Sequence, residues 1–258
     1  MKLYFKYFSM QLKSILEYKK AFLISAIAQI LTSVTAFISI VFLFDKFGNI
    51  EGYTFDNILI CFSISFVGYS IAECFFRAFD HFDRMIGNGK FDRILVRPRN
   101  LILQVLGEEI EFAKFGRAIT ALVIFIILLS KHSELLRPDK FITLLLMILG
   151  TTIIYAGLFV LKAGISFFTT QSLEIMNIFT DGARDLAQYP LNIYQKWVKT
   201  FFTYILPLAW VNYYPLLYVI EKTDNKINII LPVVSILFII PCYIVWQIGL
   251  RKYKSTGS

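Results

Sequence analysis

Cysteine, histidine and charge are all scarce in this 258-residue chain, and each shortage removes a class of function. The three cysteines, Cys61, Cys74 and Cys242, lie inside or at the ends of apolar runs without metal-type spacing, so neither a disulfide framework nor a metal site is visible. They read as small apolar fillers. The two histidines, His81 and His132, fall in different loops, and no serine stands in a glycine-flanked elbow. A membrane-embedded enzyme would need such a nucleophile, base or ligand set, so no catalytic residue is expected. The glycine-lysine element Gly87-Asn88-Gly89-Lys90 is followed by Phe91 where a phosphate loop needs Ser or Thr, and it lacks the leading glycine. It is a turn, and the chain is expected to bind no nucleotide, metal or other cofactor itself. Charged residues make up only 17% of the chain against 57% hydrophobic, which is too apolar for an ordinary soluble domain.

What the chain has instead is long apolar runs. A bilayer core takes about 20 apolar residues per helix. Runs over 21–44, 57–76, 118–130, 141–161, 164–179 and 227–250 predict an all-α integral membrane fold with six transmembrane helices, the third beginning earlier, after Leu101. The first run is too long for a signal peptide and reads as a retained span. Ahead of it, residues 1–20 place Lys2, Lys6, Lys13, Glu17 and Lys20 at steps that predict an N-terminal amphipathic helix lying on the membrane surface. Phe201 to Ile220 has span-like hydropathy but contains Pro207 and Pro215, with Trp197, Trp210, Tyr213, Tyr214 and Tyr218 in or around it. Such aromatics favour the headgroup level and prolines interrupt backbone pairing, so 181–224 is read as broken, re-entrant helices rather than a seventh span.

The formal net charge of +8 is placed by orientation. With the N-terminus inside and six spans, inner segments collect 17 basic residues against 9 outside, which puts both termini and the polar stretch 77–117 in the cytosol. A seven-span chain would throw the basic tail of Arg251, Lys252 and Lys254 outside. No basic stripe is interleaved with exposed aromatics, so nucleic acid is not an expected partner. Inside the polar stretch, Phe91, Ile94 and Leu95 recur at helical spacing between the breakers Gly87 to Gly89 and Pro98, which predicts a short helix outside the bilayer. Ionisable groups at the margins of the spans are few: Glu73 with Arg77 at i, i+4, and Glu174. An ion-coupled secondary transporter using Glu174 as proton carrier is the first alternative to weigh, and a membrane-embedded enzyme, active without any ATPase, is the second.

The leading helix, the six spans and the run from Asp83 to Asn100 (DRMIGNGKFDRILVRPRN) resemble the membrane subunits of ABC-2 type exporters. FFTTQSLE from Phe167 to Glu174, YPLNIY from Tyr189 to Tyr194 and ILPLAWVNYYP from Ile205 to Pro215 resemble a branch of bacterial ABC-2 permeases, so the likeness covers nearly the whole chain. The resemblance implies a single transmembrane domain over 1–258, in the bacterial cytoplasmic membrane, that carries no ATPase site. Its partners would be two cytosolic ABC ATPase subunits holding ATP and Mg, a second permease (the same chain or a paralogue) and membrane lipid. It also implies that Gly87, Phe91, Asp92, Arg93, Leu95, Arg97 and Pro98 form a coupling helix docking on the ATPase, with a solvated loop held near anionic lipid as the plainer reading. Likewise Pro190, Trp197, Pro207, Trp210, Tyr213, Tyr214 and Pro215 would build an outer gate, although an interfacial anchor uses the same aromatics.

Overall fold

A computed structural model describes residues 2–169 and 174–255, except the side chains of 2, 3, 5, 174 and 175. The described residues form helices and no strand. In chain order these are α1 (Lys2–Glu17), α2 (Lys19–Phe47), α3 (Phe55–Asp80), α4 (Phe82–Gly87), α5 (Lys90–Leu95), α6 (Leu101–Glu108), α7 (Phe115–Lys131) and α8 (Pro138–Ser166). There follow α9 (Glu174–Asn177), α10 (Ala183–Ala187), α11 (Lys196–Tyr204), α12 (Tyr214–Val219), α13 (Ile227–Ile230) and α14 (Ser235–Lys252). Five helical runs among the described residues are long and apolar enough to cross a bilayer: Lys19–Phe47, Phe55–Gly87, Phe112–Lys131, Pro138–Ser166 and Ile227–Lys252.

Local chemistry sets their limits. Gly48, at φ +70, ends α2 in a conformation that side chains resist. The Thr54 hydroxyl caps α3 by accepting from the Asn57 amide at 3.4 Å, and the Asn100 side chain caps α6 through the Leu103 amide at 3.2 Å. Pro138 opens α8, where its missing amide costs nothing. The helix α3 is the most enclosed of the five, packed between α7 and α8, whereas α2 is mostly exposed.

The two ends of the bundle differ. At one, the loop end, α4 to α6 sit with α1, whose Tyr7 packs on Gly107 and whose Gln11 amide donates to the Glu108 carbonyl at 3.1 Å. The C-terminus returns here, since Tyr253 bonds to Asp92 at 3.0 Å. At the far end, Lys131 and His132 hold Asp56 at 2.7 and 2.8 Å, and Lys140 holds Glu221 at 2.8 Å.

The stretch expected to span over 164–179 is divided. The helix α8 stops at Ser166, and helical structure resumes at Glu174 as α9, a π-turn over Ile178–Gly182, and α10. Its partners run from α8 on to α3 towards the far end: Lys162 of α8 bonds Asn177 at 3.0 Å, then on α3 Tyr69 bonds Asp181 at 2.8 Å and Ser65 bonds the Ala187 carbonyl at 2.7 Å. Beyond it, α11 and α12 form a hairpin bent at Pro207, closed by Trp210 donating to the Thr203 carbonyl at 2.8 Å.

The last helix lies against α8 along a glycine stripe. Gly150, Gly157 and Gly164 recur every seven residues, and a Cβ on them would lie 2.8 Å from the Pro232 carbonyl, 3.2 Å from Phe238 and 2.8 Å from the Trp246 amide nitrogen. In lipid, where apolar burial gives little drive for helix association, such close backbone approach supplies the packing. Gly164→Val is therefore expected to destabilise the protein by about 1–3 kcal/mol in thermal unfolding in detergent. Leu149→Ala, at an exposed site on the same helix, should leave the transition where it is. Equal melting of the glycine variant and the parent would refute the stripe.

Candidate functional site

Charge inside an apolar bundle must find opposite charge, and at the loop end it does so across five elements. Glu73, only 4% exposed, accepts from Arg77 at 3.2 Å, Lys114 at 2.7 Å and Arg117 at 3.1 Å. Arg117 reaches on to Gln29 of α2 at 2.6 Å. Arg77 also bonds Asp80 at 2.6 Å and lies 2.9 Å from Glu111. Asp80 takes Lys162 of α8 at 2.7 Å, and Lys162 bonds Asn177 of α9 at 3.0 Å. One continuous chain of charge-assisted bonds thus joins α2, α7, α3, α8 and α9. The kink of α3 at Phe76, where the backbone leaves helical geometry, falls inside this network. At its rim, burial alone would raise the Glu109 carboxyl, but the His81 bond at 3.1 Å with Arg77 and Arg84 nearby holds it below the usual carboxylate range.

The protruding helix α5 rests on this end. Gly89, at φ +68, turns the chain into α5, and Phe91 and Ile94 point inward at 0% and 1% exposure. Phe91 joins an aromatic block with Phe82, Phe167, Trp246 and Tyr253, its ring centroids 4.9, 5.5, 6.4 and 5.1 Å from theirs. Asp92 is occupied by the C-terminal tail: Tyr253 donates to one oxygen at 3.0 Å and Ser255 to the other at 2.8 Å. Burial, aided by Asp92, pushes the Tyr253 hydroxyl up to about 12. Arg93, Leu95, Val96, Arg97 and Pro98 face outward, with Val96 82% exposed, and so does Gly87 at the end of α4.

Of the residues singled out from sequence, Glu73 and Arg77 do pair, but as part of a larger assembly. The expected coupling residues divide into an inward set (Phe91), a tail-bound one (Asp92) and an outward set (Gly87, Arg93, Leu95, Arg97, Pro98). Trp210, Tyr213 and Tyr214 cluster, the Tyr214 ring centroid lying 5.9 Å from that of Trp210 and 5.2 Å from that of Tyr213, and Pro215 is buried at the start of α12. Pro190 precedes a 3-10 turn and Pro207 bends the hairpin, while Trp197 stands apart at 69% exposure. The Glu174 side chain lies outside the described residues. Sequence reasoning missed Asp80, Lys114, Arg117 and Lys162 as a unit, and it missed Asn212, which is buried in mid-bundle and bonded to Ser65 at 3.2 Å and Thr151 at 2.9 Å. A lone lysine inside an apolar run, Lys162, was the available signal.

Glu73→Ala would leave Lys114 and Arg117 buried beside an empty site. It is expected to cost about 3–5 kcal/mol, read as a lowered unfolding midpoint in detergent. An unchanged midpoint would mean that water, not Glu73, satisfies these cations.

Against known families, the chain matches the model described as ABC-2 family transporter protein over residues 30–257. No curated protein and no solved structure matches it.

Proposed function

Because the chain belongs to the ABC-2 family of transporter proteins, membrane transport components that generally work with ABC ATPase partners, we propose that it is the permease subunit of an ATP-driven exporter. In this reading it is a multi-pass protein of the bacterial cytoplasmic membrane with both termini cytosolic. The divided segment 174–193 completes a sixth crossing alongside α3, and the α11–α12 hairpin is a re-entrant outer gate. Two copies of an ATPase hold ATP and Mg, and a second permease completes the pathway. The observation that carries the proposal is the build of α5: outward Arg93, Leu95, Val96 and Arg97 form a mixed charged and apolar docking face, while Phe91 anchors the helix among aromatics of α4, α14 and the tail. A helix fixed so firmly moves with the spans beneath it, and that is what a lever requires.

ATP-driven closure of the ATPase pair would displace α5, and through Phe82 and Trp246 the ends of α3 and α14. Near-complete switching between two arrangements takes about 5.5 kcal/mol of differential binding, which this permease must receive from its partner. The experiment is co-reconstitution with the partner ATPase. Arg93→Glu with Val96→Glu is expected to lower permease-stimulated ATP hydrolysis and transport by about tenfold, a coupling loss of about 1.4 kcal/mol, while leaving thermal stability unchanged. Normal stimulation by the folded variant would remove α5 from the coupling role. Transport that needs ATP but survives collapse of the ion gradient separates this reading from ion coupling.

The gate carries its own expectation. The Lys140 ammonium bonds Glu221 and holds its carboxyl below the usual range. A depressed carboxyl stabilises the folded latch above its unfolded value, near pH 4.3, and that contribution is lost as pH falls through the lower folded value. Hydrogen exchange of the 209–219 amides, corrected for intrinsic rates, should stay slow at neutral pH and quicken only below about pH 4. In Glu221→Gln it should be up to about fivefold faster at neutral pH, the scale of one exposed ion pair; unchanged exchange there would discard the latch.

A further inference from the structure

A groove of about 650 Å³ runs between α2 and α10, lined on one side by Thr32, Thr35 and Ser39 and on the other by Arg184, Asp185 and Gln188. It lies near mid-bundle. The α10 end is pinned to α3 at Ser65, ten residues and about 15 Å into a helix that rises 1.5 Å per residue, close to half the bilayer core. Asp185 has 59% of its side chain exposed here, and Asp181, one turn earlier, has 53%. Carboxylates at this depth do not face hydrocarbon; they face water, a counter-charge or a ligand.

The bonding pattern decides which. Each donor group lining the groove already makes at least one bond inside the chain. The hydroxyls of Thr32, Thr35 and Ser39 each donate at 2.9 Å to a carbonyl one turn back, at Ala28, Leu31 and Thr35. Arg184 spends its nitrogens on Asp185 at 2.9 and 2.8 Å and on Asp181 at 3.2 Å, with its guanidinium 5.1 Å from the Tyr69 ring centroid and 5.8 Å from that of Phe66. Gln188 donates to the same Asp185 oxygen at 3.1 Å. The groove offers inward the hydroxyl lone pairs and the second Asp185 oxygen as acceptors, and its one guanidinium, Arg184, is shared between Asp185 and Asp181 behind the lining, two carboxylates to one cation.

We infer that the groove binds an amphipathic organic cation, a lipophilic amine whose N–H donors meet Asp185 and the α2 hydroxyls while its apolar part lies along Ala28 and Leu31. This assigns a substrate class to the pathway and rests on the permease reading for its meaning in transport. Binding itself requires no ATPase, so the two fail separately. In nanodiscs holding the purified chain, a dansylated alkylamine is titrated beside its N-acetylated neutral counterpart and a dansylated fatty acid. The amine should bind about tenfold more tightly than either analogue. Asp185→Asn should remove that preference without altering neutral binding, and Thr32→Val with Thr35→Val should weaken the amine about threefold at unchanged thermal stability. Equal affinity for amine and neutral probe overturns the inference, as does full amine affinity in folded Asp185→Asn. If that variant does not fold, the threonine pair decides by the same comparison. Amine binding without any ATP-driven transport would sink the permease reading and leave the site standing.

Discussion

Glu73 is the constraint around which the bundle is arranged. A buried carboxylate is expensive unless it is paired and hydrogen-bonded, and this one has three cations from two segments on it at once. The consequence is positional. Shifting α7 by one turn, about 5.4 Å, would part Arg117 from Glu73 and from Gln29 together, and shifting α8 would part Lys162 from Asp80 and Asn177. Apolar faces alone would tolerate such slips because lipid and helix surfaces are equally oily. The network thus fixes register more than it adds stability, and it does so where α5 meets the spans.

A second polar layer, uncharged, sits nearer mid-bundle. Asn212 joins Ser65 of α3 to Thr151 of α8, and Ser65 passes the contact on to the Ala187 carbonyl. Between the two layers the core is aromatic and aliphatic, with Tyr69 against both Tyr155 and Phe159. The hairpin is therefore tied to the same two helices, α3 and α8, whose other ends carry the charge network. Displacement at the loop end has a packed route to the hairpin, made of elements that shift as bodies because close-packed interiors do not deform continuously.

Much of this plan was legible in residues. The turn glycines and Pro98 bracket α5 correctly, and the long apolar runs mark four spans within a few residues because length and hydropathy are local properties. The interior of the charge network was not legible. Lys114 and Arg117 sit at the margin of an apolar run, where a loop charge and a buried partner look alike until the partner is known. Which side of a six-residue helix faces inward is likewise undecided by its own sequence; Trp246, some 150 positions away, claims Phe91. The division after Ser166 has the same origin. From 141 to 179 the only charged residues are Lys162 and Glu174, among scattered hydroxyl and amide side chains, and the turn at Phe167 is set by that ring packing on Trp246 and Tyr253.

Tyr69 joins these arrangements into one. Its ring lies 5.5 Å from the Arg117 guanidinium, a member of the charge network, and 5.1 Å from that of Arg184, a member of the groove, while its hydroxyl holds Asp181 at 2.8 Å. Two cations share one ring, so neither can move far without altering the attraction felt by the other. The physical separation between the charge network at the loop end and the groove beside α2 is then a single aromatic side chain on the most enclosed helix. A rearrangement of Glu73 and Arg117 changes the surroundings of Arg184 through Tyr69, and the pull of Arg184 on Asp185 sets how much of that carboxylate is free for anything in the groove.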